Sequence, residues 1–264
     1  MPRSIHGEPE IRVGAMWMAL ALLSLGSSPA AGQGQAAAPA TPGPFAADRL
    51  APGSFAYRVL VQGRPMGQTA VAIERGTEGG RPVLRLTSST TIGSSVQMND
   101  SMMMDAAGLA PIRIRQNWTA GGQQGVVALD YDGSHVKGHV HVPEHAGVRD
   151  AGVRDADVDT TLAPGTFDAL QMTRVLPALP LAGRGRWTLT AYVGAEGVVR
   201  TLTVWVSGGE TVTVPAGTFD CWKVEMSGGQ MPMDFYITKA APYLLVRYAQ
   251  VGSPMASELT QHSP

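Results

Sequence analysis

The sequence predicts an all-β fold: a strongly curved antiparallel sheet or an open, half-closed β-barrel, with one helix packed on it. Three observations carry that expectation. Apolar and polar residues alternate with period two over most of the chain, which is the signature of strands with one buried face. Glycine (32) and proline (19) are abundant and fall between the alternating runs, while 44% of residues are hydrophobic and can build a core. Helical spacing is clear in one segment alone beyond the N-terminus.

The first element is not a strand. Residues 15–25 (AMWMALALLSL) form an apolar run followed by small residues at Ser27-Ser28-Pro29-Ala30-Ala31-Gly32. The run is shorter than the roughly 20 residues a bilayer span needs, and it fits a secretory signal peptide over residues 1–32. Arg3 and Arg12 are offset by Glu8 and Glu10, which is unusual for such a leader. The Ala/Pro/Gly-rich stretch 33–47 then reads as a spacer with little to bury. A single β domain is expected over residues 48–260, with 261–264 as a tail. A periplasmic or secreted location follows, with no transmembrane span once the leader is removed.

Within the domain, Phe55, Tyr57, Val59 and Val61 alternate with Ala56, Arg58 and Leu60. Further strands are expected at 68–74, 82–92, 95–104 and 112–115. Runs 126–131 and 135–142 flank Asp132-Gly133, a hairpin turn dipeptide. In the C-terminal half, 187–193, 202–206, 210–214, 219–226, 233–238 and 243–251 continue the series, with Gly208-Gly209 and Gly228-Gly229 read as turns. Roughly ten to twelve strands result, at a spacing typical of sandwiches and barrels. The exception is 167–176, read as a helix capped by Thr166 and ended by Pro177, with Met172, Val175 and Leu176 on one face. The pentapeptide AGVRD occurs twice in succession at 146–155 and reads as a loop insertion, since two units cannot make a solenoid.

Chemistry is sparse. A net charge of −1 with 16% charged residues gives no electrostatic footprint for nucleic acid. No nucleophile elbow, phosphate-binding loop or dinucleotide fingerprint is present, and the reading is of a non-enzymatic protein with no cofactor. The one cysteine, Cys221, cannot close an intramolecular disulfide and is read as an inert strand residue. His139 and His141 would lie on one strand face about 6.6 Å apart. With Glu144 they form the candidate metal ligands of an alternative, metal-binding reading. Asp155, Asp157 and Asp159 read as a solvated acidic loop, because an EF-hand's glycine and terminal glutamate are missing. The abundant methionines suit either core packing or an adaptable apolar binding surface, and less well a Cu(I) site. Candidate lining residues are Met102, Met104, Trp187, Trp205, Trp222, Phe235 and Tyr248.

The C-terminal half carries a resemblance. Glu210-Thr-Val-Thr-Val-Pro-Ala-Gly-Thr-Phe-Asp220 with Cys221 to Glu225, Thr166-Phe-Asp168 through Leu179-Pro-Leu181, Ala241 to Arg247, and Asp105 to Pro111 resemble the turn motifs of the DUF3108-type bacterial envelope proteins. The resemblance spans roughly residues 50–260 and rests on turn chemistry: Pro215 fixes φ and Gly217 can take positive φ. It implies a curved antiparallel sheet in an exported protein, like the half-barrels of lipoprotein carriers, and brings no active residues. Three expectations of function follow. The first is an exported module that binds an apolar or lipid-like ligand or an envelope partner. The others are a metal-dependent protein at His139 and His141, and a structural protein with a filled barrel.

Overall fold

The computed structural model describes residues 44–143, 154–229 and 231–264. Its strands in chain order are β1 (Gly53–Val61), β2 (Arg64–Glu78), β3 (Arg81–Ile92), β4 (Val96–Asp105), β5 (Pro111–Ala120), β6 (Gln123–Asp132), β7 (His135–Val142) and β8 (Arg154–Thr161). A crossing segment follows, with β9 (Phe167–Asp168) and α1 (Ala169–Val175). The chain then returns through β10 (Arg186–Val193), β11 (Val198–Val214), β12 (Gly217–Ser227), β13 (Met233–Thr238), β14 (Leu245–Gln250) and β15 (Met255–Ser263).

All fifteen strands form one sheet, ordered β8-β7-β6-β5-β4-β3-β2-β1-β15-β14-β13-β12-β11-β10-β9. The chain therefore starts in the middle, meanders to one edge, crosses to the other edge, and meanders back until β15 pairs with β1. Every neighbouring pair is antiparallel except β9 with β10. This is the predicted curved all-β sheet with one short α-helix.

Curvature brings the two edges together without main-chain pairing. The Tyr131 hydroxyl on β6 donates to Asp168 Oδ2 on β9 at 2.5 Å. Arg154 Nη1 on β8 donates to the Gly194 carbonyl in the β10–β11 turn at 2.9 Å. Helix α1 lies inside the curve, because its side chains reach both meanders: Gln171 Nε2 donates to the Leu109 carbonyl after β4, and Arg174 sits against Tyr57 of β1 and Tyr248 of β14. Leu84, Leu86, Met104, Ile114, Leu129, Met172 and Phe235 are fully buried there. Each such side chain stabilises the fold by about 1.5–3 kcal/mol relative to exposure.

Several sequence expectations change. The stretch 155–159 is not a loop but the middle of edge strand β8, paired along its length with β7. Its aspartates alternate with Ala156 and Val158, and Val158 is 6% exposed, so period two was present under the charge. Gly208-Gly209 is not a turn. Val198 to Val214 run as one strand against β12, and the register shift at Val206/Gly208 makes the glycine pair a β-bulge. The tail joins β15, where His262 pairs with Phe55. The helix begins at Ala169 rather than 167, because Phe167 and Asp168 pair with β10. Asp168, not Thr166, caps it: Asp168 is extended and accepts from the Leu170 N–H at 2.8 Å, whereas the Thr166 hydroxyl donates to the Ala163 carbonyl. In the stretch expected as a spacer, Phe45 and Ala47 are already buried, and Phe45 packs edge-on to Phe167 at 4.9 Å. The leader, the bulk of the spacer, Glu144 and most of the AGVRD duplication lie outside the described residues.

Candidate functional site

The interior is largely filled, and its polar groups are few enough to account for individually. One row of β-register residues, Val71, Ser88, Asp100 and Gln116, crosses β2 to β5. In it Ser88 Oγ donates to Asp100 Oδ2 at 2.7 Å and Gln116 Nε2 donates to Asp100 Oδ1 at 2.8 Å. Buried Asp168 holds the seam. Burial outweighs its hydrogen bonds from Tyr131 and Leu170 and raises its carboxyl from the ordinary aspartate value to about 6. The guanidinium of Arg174 lies 5.8 Å from the Tyr57 ring centre and 5.7 Å from that of Tyr248. Its Nη1 is buried without a partner among the described residues.

The expected lining residues separate into three groups. Met102 and Met104 pair with Leu86 and Leu84 and are 3% and 0% exposed, so they pack as core. Phe235 and Tyr248 are brought together, their rings stacked 6.4 Å apart, with Tyr57 edge-on to Tyr248 at 6.1 Å. The three tryptophans do not converge on one cavity. Arg186 covers the Trp205 ring at 5.0 Å and Lys239 Nζ lies 4.9 Å from that of Trp222, while Trp187 and Trp222 pack against the core edge.

A second set of methionines does converge. Met172 of α1, Met226 at the end of β12, Met231, and Met233 of β13 line a pocket of about 80 Å³ together with Leu202 and Gln250. Gln250 Nε2 donates to Met231 Sδ. Arg200 stands at the same pocket, its Nη2 2.5 Å from Glu196 Oε2. Sequence reasoning noted Met226, Met231 and Met233 but not their junction with Met172, which only the crossing of α1 over the sheet creates. A broader, open concavity of about 530 Å³ lies elsewhere, on the face that carries Ser54, Ala56, Ala70 and Ser89.

The histidines form a ladder with the aspartates of β8. His135 Nε2 meets Asp159 at 2.7 Å, and His139 Nδ1 meets Asp157 at 3.1 Å. Asp155 lies between two rings, 3.2 Å from His139 Nε2 and 3.1 Å from His141 Nδ1. All are solvent-accessible side chains on an edge strand. Among the described residues no group of three or more such ligands is arranged to hold a metal ion. His135 lowers the carboxyl of Asp159 by its hydrogen bond. Cys221 is fully buried, and burial pushes its thiol up to about 12, which suits an inert residue rather than a nucleophile.

Comparison with known proteins agrees with this architecture. No curated protein matches the chain. The crystal structure of a beta-barrel-like protein of the DUF1849 domain of unknown function from Brucella abortus superposes with a TM-score of 0.51, at 11% identity over 81% of this chain and 98% of that one. A protein of YmcC-like fold from Bacteroides fragilis NCTC 9343 is also similar, with a TM-score of 0.31 at 9% identity over 80% and 95% of the two chains. No helix among the described residues is long and apolar enough to cross a membrane. A family profile described as "Protein of unknown function (DUF3108)" matches residues 56–260, so the chain belongs to the DUF3108 family.

Proposed function

We propose that this is an exported, non-enzymatic β domain that binds an apolar or lipid-like ligand, and that the methionine pocket between α1 and β10–β13 receives the ligand's apolar end. The observation that carries the reading is the convergence of Met172, Met226, Met231 and Met233 on one cavity of about 80 Å³. Thioether side chains are unbranched and polarizable, and they reshape around different apolar partners at little cost. The volume is well below the roughly 300–1,000 Å³ of sites that enclose a whole small molecule. It suits the end of an acyl chain, with the remainder lying outside. The filled interior around Leu84, Leu86 and Phe235 argues against a ligand swallowed whole. The hydrophobic leader read from the sequence supports export, and an envelope location would supply such ligands.

Methyl-¹³C-methionine NMR tests this directly. Titration with 1-octanol below its aggregation limit is expected to shift the methyl signals of Met172, Met226, Met231 and Met233 and to leave Met102 and Met104 in place. Shifts in none of the four, or equal shifts at core and pocket methionines, would remove the assignment.

A further inference from the structure

We propose that the inside of the curved sheet holds a second, carboxylate-binding site centred on Arg174. A guanidinium has five N–H donors and no acceptor, and it stays charged in proteins. Here Nη1 is buried and unpartnered, and no carboxylate lies within ion-pair distance of Arg174 among the described residues. Asp100 is the anion that acts on it electrostatically, but both Asp100 oxygens are already taken by Ser88 and Gln116. Neither flanking ring neutralises the charge, and the Tyr57 hydroxyl is committed to the Leu245 carbonyl at 3.1 Å. Buried charges are normally paired, so an uncompensated arginine in a barrel interior is a vacancy for an anion.

The space beside it fixes the size of that anion. A cavity of about 30 Å³ is lined by Arg174 with Phe55, Tyr57, Val71 and Leu245. That is room for about two water-sized atoms by the usual measure, which matches the two oxygens of a carboxylate and is small for a phosphate. A planar guanidinium and a carboxylate also match in geometry, as a forked pair. The apolar walls suit a carbon chain behind the carboxylate better than a second charge.

Access is through the segment that precedes β1. Leu50 and Ala51 form part of the cavity wall. The segment is held by long polar contacts: Arg75 Nη2 to the Ala47 and Leu50 carbonyls and Arg49 Nε to the Pro177 carbonyl, all at 3.4 Å. Arg49 also stacks 3.7 Å from the Tyr243 ring centre. The site is independent of the methionine pocket. Residues 172 and 174 are two apart on α1, about 200° around the helix, and the two cavities share no residue.

The test compares the thermal midpoint of the protein in sodium acetate, butyrate or decanoate with that in sodium chloride at equal ionic strength. The carboxylates are expected to raise the midpoint beyond chloride, since a ligand that binds only the folded state stabilises it. A response to acetate marks a free small acid as sufficient; a response to decanoate alone marks a chain-borne carboxylate. Arg174→Met should fold, because it removes an orphan charge, and should weaken carboxylate binding at least about tenfold. Arg174→Lys keeps the charge but loses the fork and should fall between the two. Should Arg174→Met not fold, saturation transfer from tyrosine ring protons to butyrate in the unaltered protein reports the same contact. No advantage of any carboxylate over chloride, absence of transfer, or a full response in folded Arg174→Met would overturn the site. None of these outcomes bears on the octanol titration of the methionine methyls.

Discussion

Asp168 shows how one side chain couples the seam, the helix and pH. It caps α1, accepts from Tyr131 across the seam, and is buried. Its carboxyl is raised in the folded protein to about 6, so the folded state binds the proton more tightly than the unfolded chain does. The stabilisation from that proton is complete below about pH 4 and is lost as pH rises towards 6, a difference of roughly 3 kcal/mol. Asp168→Asn keeps a capping oxygen and cannot ionise. Chemical denaturation of the variant should therefore lack this component of the pH 4–6 slope, with the native-minus-variant difference flat above about pH 6.5. Little of this was legible in the sequence. Thr166 and Asp168 are both good capping residues two positions apart, and only the pairing of Phe167 and Asp168 with β10 decides between them. Arg174 was equally silent, because an arginine near the end of an amphipathic helix ordinarily points to water.

Among the elements, alternation was the reliable guide and glycine the ambiguous one. Strands rich in Val, Ile and aromatic residues, such as β1 and β7, could be placed from their period alone. β8 could not, since three aspartates in eight residues imitate a loop. Its charge has a physical use at a sheet edge, where a row of carboxylates discourages pairing with another chain. Gly208-Gly209 imitates a hairpin turn, and only the shared partner β12 reveals the bulge. Gly125 on β6 has a different reason to be glycine. It pairs with Trp118 on β5, and an added Cβ would lie 2.0 Å from the indole ring. The Trp118 ring covers the bare backbone of its cross-strand neighbour. Gly125→Ala must push the ring away, so a loss of about 1–3 kcal/mol is expected. A shift in tryptophan fluorescence should accompany it, and an unchanged unfolding midpoint would show that the ring yields freely.

At the scale of the whole molecule, the sheet is two meanders joined at their inner ends by β1 and β15 and at their outer ends by side chains. The curve places α1 inside, and α1 in turn divides the concavity into an arginine side and a methionine side. The fold class and the family motifs were readable because they depend on local turn chemistry and period. The pockets were not, because each collects residues separated by tens to more than a hundred positions, and no local pattern marks which methionine will meet which. That is why Met102 and Met104, prominent in the sequence, became core, while Met172, read only as a helix-face residue, became part of the candidate site.

Ligand binding is the central claim, and native mass spectrometry of the mature protein purified from an exporting host tests it most directly. The account predicts a co-purifying lipid-sized mass that disappears on organic extraction and is depleted in a Met226→Asp, Met233→Asp variant that still folds. A bare polypeptide mass would contradict it in favour of a structural role. A stoichiometric metal adduct abolished by His139→Ala with His141→Ala would contradict it in favour of the β7–β8 ladder.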